Sequence, residues 1–252
     1  MLRSIKQLYG DKLGASDGEI GHVKDFYFDD RNWAIRYLVA DTGSWLPGRQ
    51  VLLSPYSLGR LDQAEKTLRV NLTRKQIEDS PSIDLHKPVS RQYEEEYYQY
   101  FGWPYYWRGD GLWGMSGFPI LDLPATPLPS EMGAASGVQP ERPDAHLRST
   151  HAVNGYQLKS GDEMIGHVCD FMVDAESWAI GQLVVRTGHR LSGKEVLVEM
   201  KNVSRISYEE STVFADLTGD AIEQSAAPNL VSESQPVELA ERIHPLCMFD
   251  TA

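Results

Sequence analysis

Several polar residues recur in the chain at one fixed separation: His22 and His167, Asp25 and Asp170, Asp29 and Asp174, Thr42 and Thr187, Arg60 and Arg205, Glu65 and Glu210. A histidine beside a carboxylate can ligate a metal or relay a proton. His22 and Asp25 stand three apart, however, and on an undistorted strand such residues project to opposite faces. Only a bulge could unite them, and two ligands fall short of the three or four that a zinc site needs. These residues therefore read as turn and surface groups. Asp29 and Asp174 precede turns, where the carboxylate bonds its own backbone. Ser54 and Ser57 lack a nucleophile elbow, and no Walker loop or dinucleotide fingerprint is present. Gly48-Arg49 and Gly193-Lys194 each put a cation after a turn, where a solvated turn accounts for it better than an anion site. Cys169 falls in a strand and reads as buried rather than reactive. No catalytic residue, metal or cofactor is expected.

The elements that must position these groups come from a duplication. Shifted by 145 positions, residues 2–80 lie over 147–225 without a gap, and about 32 of the 79 pairs are identical, against roughly 5 for unrelated stretches of average composition. Leu2-Arg3-Ser4 returns as Leu147-Arg148-Ser149, Ile20-Gly21-His22-Val23 as Ile165-Gly166-His167-Val168, and Trp33-Ala34-Ile35 as Trp178-Ala179-Ile180. Matched positions are mostly apolar residues, glycines and turn formers. The copies share a packing plan more than a reactive centre.

Strand signals dominate both copies. Trp33, Ile35, Tyr37 and Val39 alternate with their neighbours as on a half-buried strand. Val51-Leu52-Leu53, Val196-Leu197-Val198, Thr67–Leu72 and Thr212–Leu217 supply further short strands. The apolar spacing at 20, 23, 26 and 28, repeated at 165, 168, 171 and 173, slips from strict alternation. A bulge or bend near Gly21 and Gly166 explains the slip. Thr73 and Gln76 form a capping box over a closing helix with Ile77 inward, and Thr218 and Ile222 keep a weaker version. The fold class is mainly β: two small barrels in tandem, each with a short closing helix.

The run Asp17-Gly18-Glu19-Ile20-Gly21-His22-Val23, then Asp25-Phe26, Trp33, Arg36-Tyr37-Leu38-Val39 and Val51-Leu52-Leu53, resembles the PRC-barrel domain. That fold is shared by the cytoplasmic part of the photosynthetic reaction-centre H subunit and by a ribosome-maturation factor. The resemblance covers both repeats and implies a compact barrel used for binding or assembly. It carries no catalytic motif.

Four segments follow: repeat 1 over 1–80, a connector over 81–146, repeat 2 over 147–225, and a tail over 226–252 in which Pro236-Val237 is similar to Pro88-Val89. In the connector, Ser90 caps a helix to about Phe101, Glu94 to Glu96 sit near its positive end, and Tyr93, Tyr97, Tyr100 and Phe101 share a face. The Pro- and Gly-rich stretch after Leu123 reads as a linker. Between helix and linker stand Trp103, Tyr105, Tyr106, Trp107 and Trp113. Burying one aromatic removes ~150–250 Å² from water, worth ~4–6 kcal/mol at about 25 cal/mol/Å². One reading is a strap that completes a barrel or glues the two together. The other is a partner-binding patch formed by Tyr97, Trp103, Tyr105, Tyr106, Trp107 and Trp113.

Composition bounds the partners. Lys+Arg 24 against Asp+Glu 36 leaves −12 over 252 residues, with pI ≈ 5.0. Such a chain repels phosphate backbones, so nucleic acid is not expected. Two cysteines fit a reducing compartment, no apolar run reaches the ~20 residues of a membrane span, and the first residues open no signal peptide, so a cytoplasmic location is expected. The sequence points to a non-enzymatic binding or scaffold protein acting as a pseudo-dimeric module with an unnamed protein partner. A pocket between the barrels for a small ligand or enzymatic reaction, association with ribosomal or photosynthetic assemblies, and homo-oligomerisation remain open alternatives.

Overall fold

The computed structural model describes residues 1–47, 49–62, 66–81, 89–121, 147–161, 163–188 and 194–217. The closing-helix positions Thr218 and Ile222, the linker after Leu123, the tail, Gly48, Gly193 and Glu65 lie outside the described residues.

The first half runs β1 (Leu2–Ser4), α1 (Ile5–Leu8), β2 (Lys12–Ala15), β3 (Gly18–Asp29), β4 (Ala34–Asp41), β5 (Gln50–Leu53), a 3-10 turn at Pro55–Ser57, β6 (Leu58–Asp62), β7 (Thr67–Val70) and α2 (Arg74–Glu78). Helix α3 (Arg91–Phe101) follows. The second half repeats the order with β8 (Leu147–Ser149), α4 (Thr150–Val153), β9 (Gln157–Ser160), β10 (Glu163–Asp174), β11 (Ile180–Thr187), β12 (Glu195–Glu199), a 3-10 turn at Met200–Asn202, β13 (Val203–Ser207) and β14 (Thr212–Ala215). Each half builds a sheet of the same order, β5-β4-β3-β2-β7-β6 and β12-β11-β10-β9-β14-β13. Both contain one parallel contact, β2 with β7 and β9 with β14.

One expectation needs correction. The sheets are open in their hydrogen bonding: among the described residues no ladder joins β5 to β6 or β12 to β13. A 3-10 turn separates each of those consecutive strands and carries the chain round the corner, so pairing between them is lost. The two halves also exchange their terminal arms. Strand β1 pairs with β10 of the other half, with Leu2 opposite Asp174 and Ser4 opposite Met172, while β8 pairs with β3, Leu147 opposite Asp29 and Ser149 opposite Tyr27. Strands β3 and β10 outrun β2 and β9, and the surplus edge is covered by the arm of the opposite half, which removes an open edge.

Bulges explain the slipped apolar spacing. The ladder between β2 and β3 skips Ile20, and that between β3 and β4 skips Lys24, so each three-residue step from Ile20 to Val23 to Phe26 crosses one bulge. Strand β10 repeats both, at Ile165 and Cys169. Glycine is needed there because the neighbouring strand approaches closely: a Cβ on Gly21 would lie 1.9 Å from the Asp41 carbonyl oxygen, and one on Gly166 2.2 Å from that of Arg186. A further bulge makes Arg36 the extra residue between Ile35 and Tyr37, and Gly181 the extra residue in β11.

The two halves meet at the turns after β3 and β10. Trp33 and Trp178 adopt φ of 51 and 58°, a left-handed conformation uncommon for a bulky residue. It points each tryptophan carbonyl across the junction: Ile35 N–H donates to Trp178 O at 2.9 Å and Ile180 N–H to Trp33 O at 2.6 Å. Ala34 and Ala179 form an antiparallel bridge between them, and Phe28 packs on Phe171 with centroids 5.5 Å apart. One apolar cluster, from Ile5 and Leu13 to Val213 and Ala215, runs through both halves. The capping box on α2 forms as expected, Thr73 N–H donating to Gln76 Oε1 at 2.8 Å, with Ile77 buried.

Candidate functional site

Among the recurring polar residues, the pair Asp25 and Asp170 joins the halves. The bulge at Lys24 turns Asp25 toward α4, where its carboxylate accepts from the Ser149 hydroxyl, the Thr150 hydroxyl at 3.0 Å and the His151 N–H at 3.1 Å. Asp170 does the same at α1, accepting from the Ser4 hydroxyl and from Lys6 N–H at 2.9 Å. Ser4 and Ser149 in turn accept from Gln7 and Ala152 N–H, so each serine caps its own helix while donating to the other half's aspartate. Thr42 and Thr187 close the hairpins after β4 and β11 through the carbonyls of Arg49 and Lys194. Asp29 and Asp174 bond their following turns as expected, from Arg31 and Asn32 and from Glu176 and Ser177. For Asp174, burial pushes the carboxyl up, but donors from Ser177, the N-terminal ammonium and Glu176 outweigh it and hold the carboxyl well below the usual carboxylate range. His22 and His167 stay exposed, away from these contacts.

One contact set has no twin. Asp30 accepts from Tyr208 OH at 2.6 Å and pairs with Arg148 at 3.3 Å, while the Arg148 guanidinium lies 3.6 Å over the Tyr208 ring. The equivalent of Asp30 is Ala175, which offers no acceptor side chain.

The connector wraps the first half around two buried charges. Helix α3 begins at Ser90, whose oxygen accepts from Tyr93 N–H, and ends at Gly102 in the left-handed region that this stop requires, φ 67°. Its buried face is Glu94, Tyr97 and Tyr98 with Phe101 beside them, not the face through Tyr93 and Tyr100; Tyr100 is exposed. Glu94 is 0% exposed and accepts from Tyr37 OH at 3.0 Å and Tyr106 OH at 2.7 Å, with the Arg91 guanidinium 3.1 Å away. Arg36, also 0% exposed, donates to Leu112 O at 2.6 Å and Asp29 Oδ2 at 3.2 Å. Its guanidinium lies 4.0 Å from the Tyr106 centroid and 4.9 Å from that of Trp113. A buried cation is tolerated only with anionic, carbonyl and aromatic partners such as these, which serve both terminal nitrogens while Nε finds no acceptor. The strap also reaches the second half, where Trp113 Nε1 donates to Ser177 O at 2.7 Å.

Burial holds these phenols in their neutral form. Burial raises Tyr37 and Tyr97 well above the ordinary tyrosine value, raises Tyr98 and Tyr106 likewise, and pushes Tyr56 up to about 12. Tyr97 OH donates to Leu52 O at 2.8 Å and Tyr56 OH to Trp113 O at 3.3 Å, pinning the strap to β5 and its following turn.

Of the six aromatics singled out from sequence, Tyr97, Trp103, Tyr106 and Trp113 are buried, Tyr97 completely. Tyr105 and Trp107 are half-buried and carry Arg108 and Arg91 over their rings at 4.5 and 4.2 Å. Beyond them Met115, Phe118, Ile120 and Leu121 are exposed. Sequence reasoning missed Arg36 and Glu94. The available signals were a lone cation inside an otherwise apolar strand and an acid three and four residues before Tyr97 and Tyr98. Strand β4 reads as half-buried by alternation, yet Ala34 to Ala40 are all buried because the strap covers its second face. In β11, the equivalent strand, Gly181 and Arg186 are exposed among the described residues.

Among the described residues, no group of three or more His, Cys, Asp or Glu side chains is placed to hold a metal ion, and no helix is long and apolar enough to cross a membrane. Residues 152–222 match the family described as the PRC-barrel domain. The match takes in the second half from α4 onward, omitting the arm β8 that crosses to the first half. No curated protein matches the sequence.

Proposed function

We propose that the protein is a non-enzymatic binding or scaffold module in which two PRC-type barrels form a covalent pseudo-dimer, stiffened by the strap. The observation that carries this reading is the use of the duplicated Asp25 and Asp170, with Ser149 and Ser4, as reciprocal ties between the halves. The Asp25 and Asp170 carboxylates, kept in both copies, tie the two halves into one body. Rigidity of that kind lowers the ordering cost of binding a protein partner.

The partner-facing surface in this reading is the outer rim of the strap. Tyr105 and Trp107 supply half-buried aromatic anchors, and the exposed Phe118, Ile120 and Leu121 extend the apolar surface. Aromatics and arginine are the residues over-represented where binding energy concentrates, and Arg91 and Arg108 already stack here. Affinity capture from the native cell at low and moderate salt tests the reading, comparing the unaltered chain with Phe118→Ser/Ile120→Ser, both exposed positions. The expected result is one protein retained at both salts by the unaltered chain and lost at least tenfold by the variant, with unchanged thermal unfolding. Equal capture by both proteins would exclude the strap rim. Turnover in a metabolite screen without any retained partner would refute the scaffold role.

A further inference from the structure

The junction between the halves has the composition of a dimer interface. Its ties come in reciprocal pairs: β1 on β10 and β8 on β3, Ser4 on Asp170 and Ser149 on Asp25, Ile35 on Trp178 and Ile180 on Trp33. None of these contacts requires that both halves belong to one chain. In sequence, residues 122–146 alone connect the strap to β8.

We propose that this junction exchanges between copies. The first half of one chain closes on the second half of another, and the remaining two halves close likewise, giving a dimer with two junctions of the same composition as the one in the single chain. The partner is a second copy of this chain, and the pairing is first half with second. Self-pairing of second halves would set Arg148 opposite Ala175 in place of Asp30 and leave Tyr208 without that acceptor. Self-pairing of first halves would lose Tyr208 and Arg148 together. The unlike pair alone keeps the Asp30 contacts, so exchange yields closed dimers rather than mixtures of like halves. Because the contacts are equal in the two forms, concentration decides between them, and a covalent link competes at an effective concentration on the order of 1 mM.

The test traps the junction covalently. Arg3 and Val173 are register partners, and directly opposed antiparallel residues stand about 4.5–5.5 Å apart at Cα, within disulfide reach. The full chain carrying Arg3→Cys and Val173→Cys, with Cys169→Ser and Cys247→Ser, is refolded from urea at about 10 μM, 100 μM and 1 mM, then oxidised and run on a non-reducing gel. A dimer-to-monomer ratio rising about tenfold per tenfold concentration, with the dimers linked between chains, is expected. Monomer throughout, or dimers whose disulfides are all within one chain, would overturn the proposal. The unaltered protein supplies a second measurement. Isotopically light and heavy chains unfolded and refolded together should give mixed dimers by native mass spectrometry, whereas folded samples merely mixed should not. Rapid mixing of folded chains would mean association through an outer surface and would equally overturn it.

Discussion

Replacing Arg36 by methionine tests whether the strap is held by buried charge or by apolar packing alone. Methionine keeps much of the stem volume, so the perturbation is chiefly electrostatic. It takes the guanidinium from Asp29, whose side chain is 3% exposed, and removes the donor to Leu112 O and the cation between Tyr106 and Trp113. Asp29 keeps its bonds from Arg31, Asn32 N–H and Asn32 Nδ2, so its charge is not left bare. Breaking one side of a buried pair costs about 3–5 kcal/mol, a large share of the roughly 5–15 kcal/mol that holds a domain folded. At about 2–4 °C per kcal/mol for a chain of this size, the melting temperature should fall by roughly 6–20 °C. Urea unfolding followed by tryptophan fluorescence measures the loss directly, since Trp103 and Trp113 are buried in the strap. Arg36→Met with Asp29→Asn should cost less than the sum of the single changes, by roughly 0.5–3 kcal/mol of coupling. A loss under about 1 kcal/mol, or strict additivity, would refute the reasoning and leave the strap held by its aromatic surfaces.

Two further outcomes follow from the junction and the bulges. Gly21→Ala and Gly166→Ala should each destabilise by more than about 1 kcal/mol in chemical denaturation, because a Cβ meets a backbone carbonyl at 1.9 and 2.2 Å; Gly43→Ala, with open space around it, should cost only the strain of its positive φ. Asp174 is depressed when folded, so its contribution to stability is present above its ordinary value of 3.8 and is lost as pH falls below that value toward the folded one. Asp174→Asn should therefore lower the melting temperature at pH 7 and narrow its gap from the unaltered protein at pH 3. An unchanged gap would show that its carboxylate charge contributes nothing.

The strand-rich class, the capping box and the turn roles of Asp29 and Asp174 were legible because each rests on residues close in sequence, and the duplication because it is a likeness of the chain to itself. Slipped spacing at Ile20, Val23 and Phe26 revealed that β3 departs from plain alternation, though a single bulge near Gly21 was expected and two are present. The exchange of arms was not legible. A strand such as Leu2–Ser4 carries the same residues whether it pairs within its own half or across, and only the surplus length of β3 and β10 decides. For the same reason Asp25 and Asp170 stood out as recurring acids without revealing that each binds the other half's serine.

Sequence by itself determined that two alike, β-rich halves flank an aromatic connector in a chain of acidic net charge, because periodicity, repetition and net charge are properties of the chain. Tertiary structure alone decided where the connector packs. Arg36 and Glu94 look like surface residues by type, and their burial depends on partners 7 to 76 positions away: Asp29, Leu112, Tyr37 and Tyr106. A charge goes inside only when distant groups converge to replace its water, and that convergence is created by the fold.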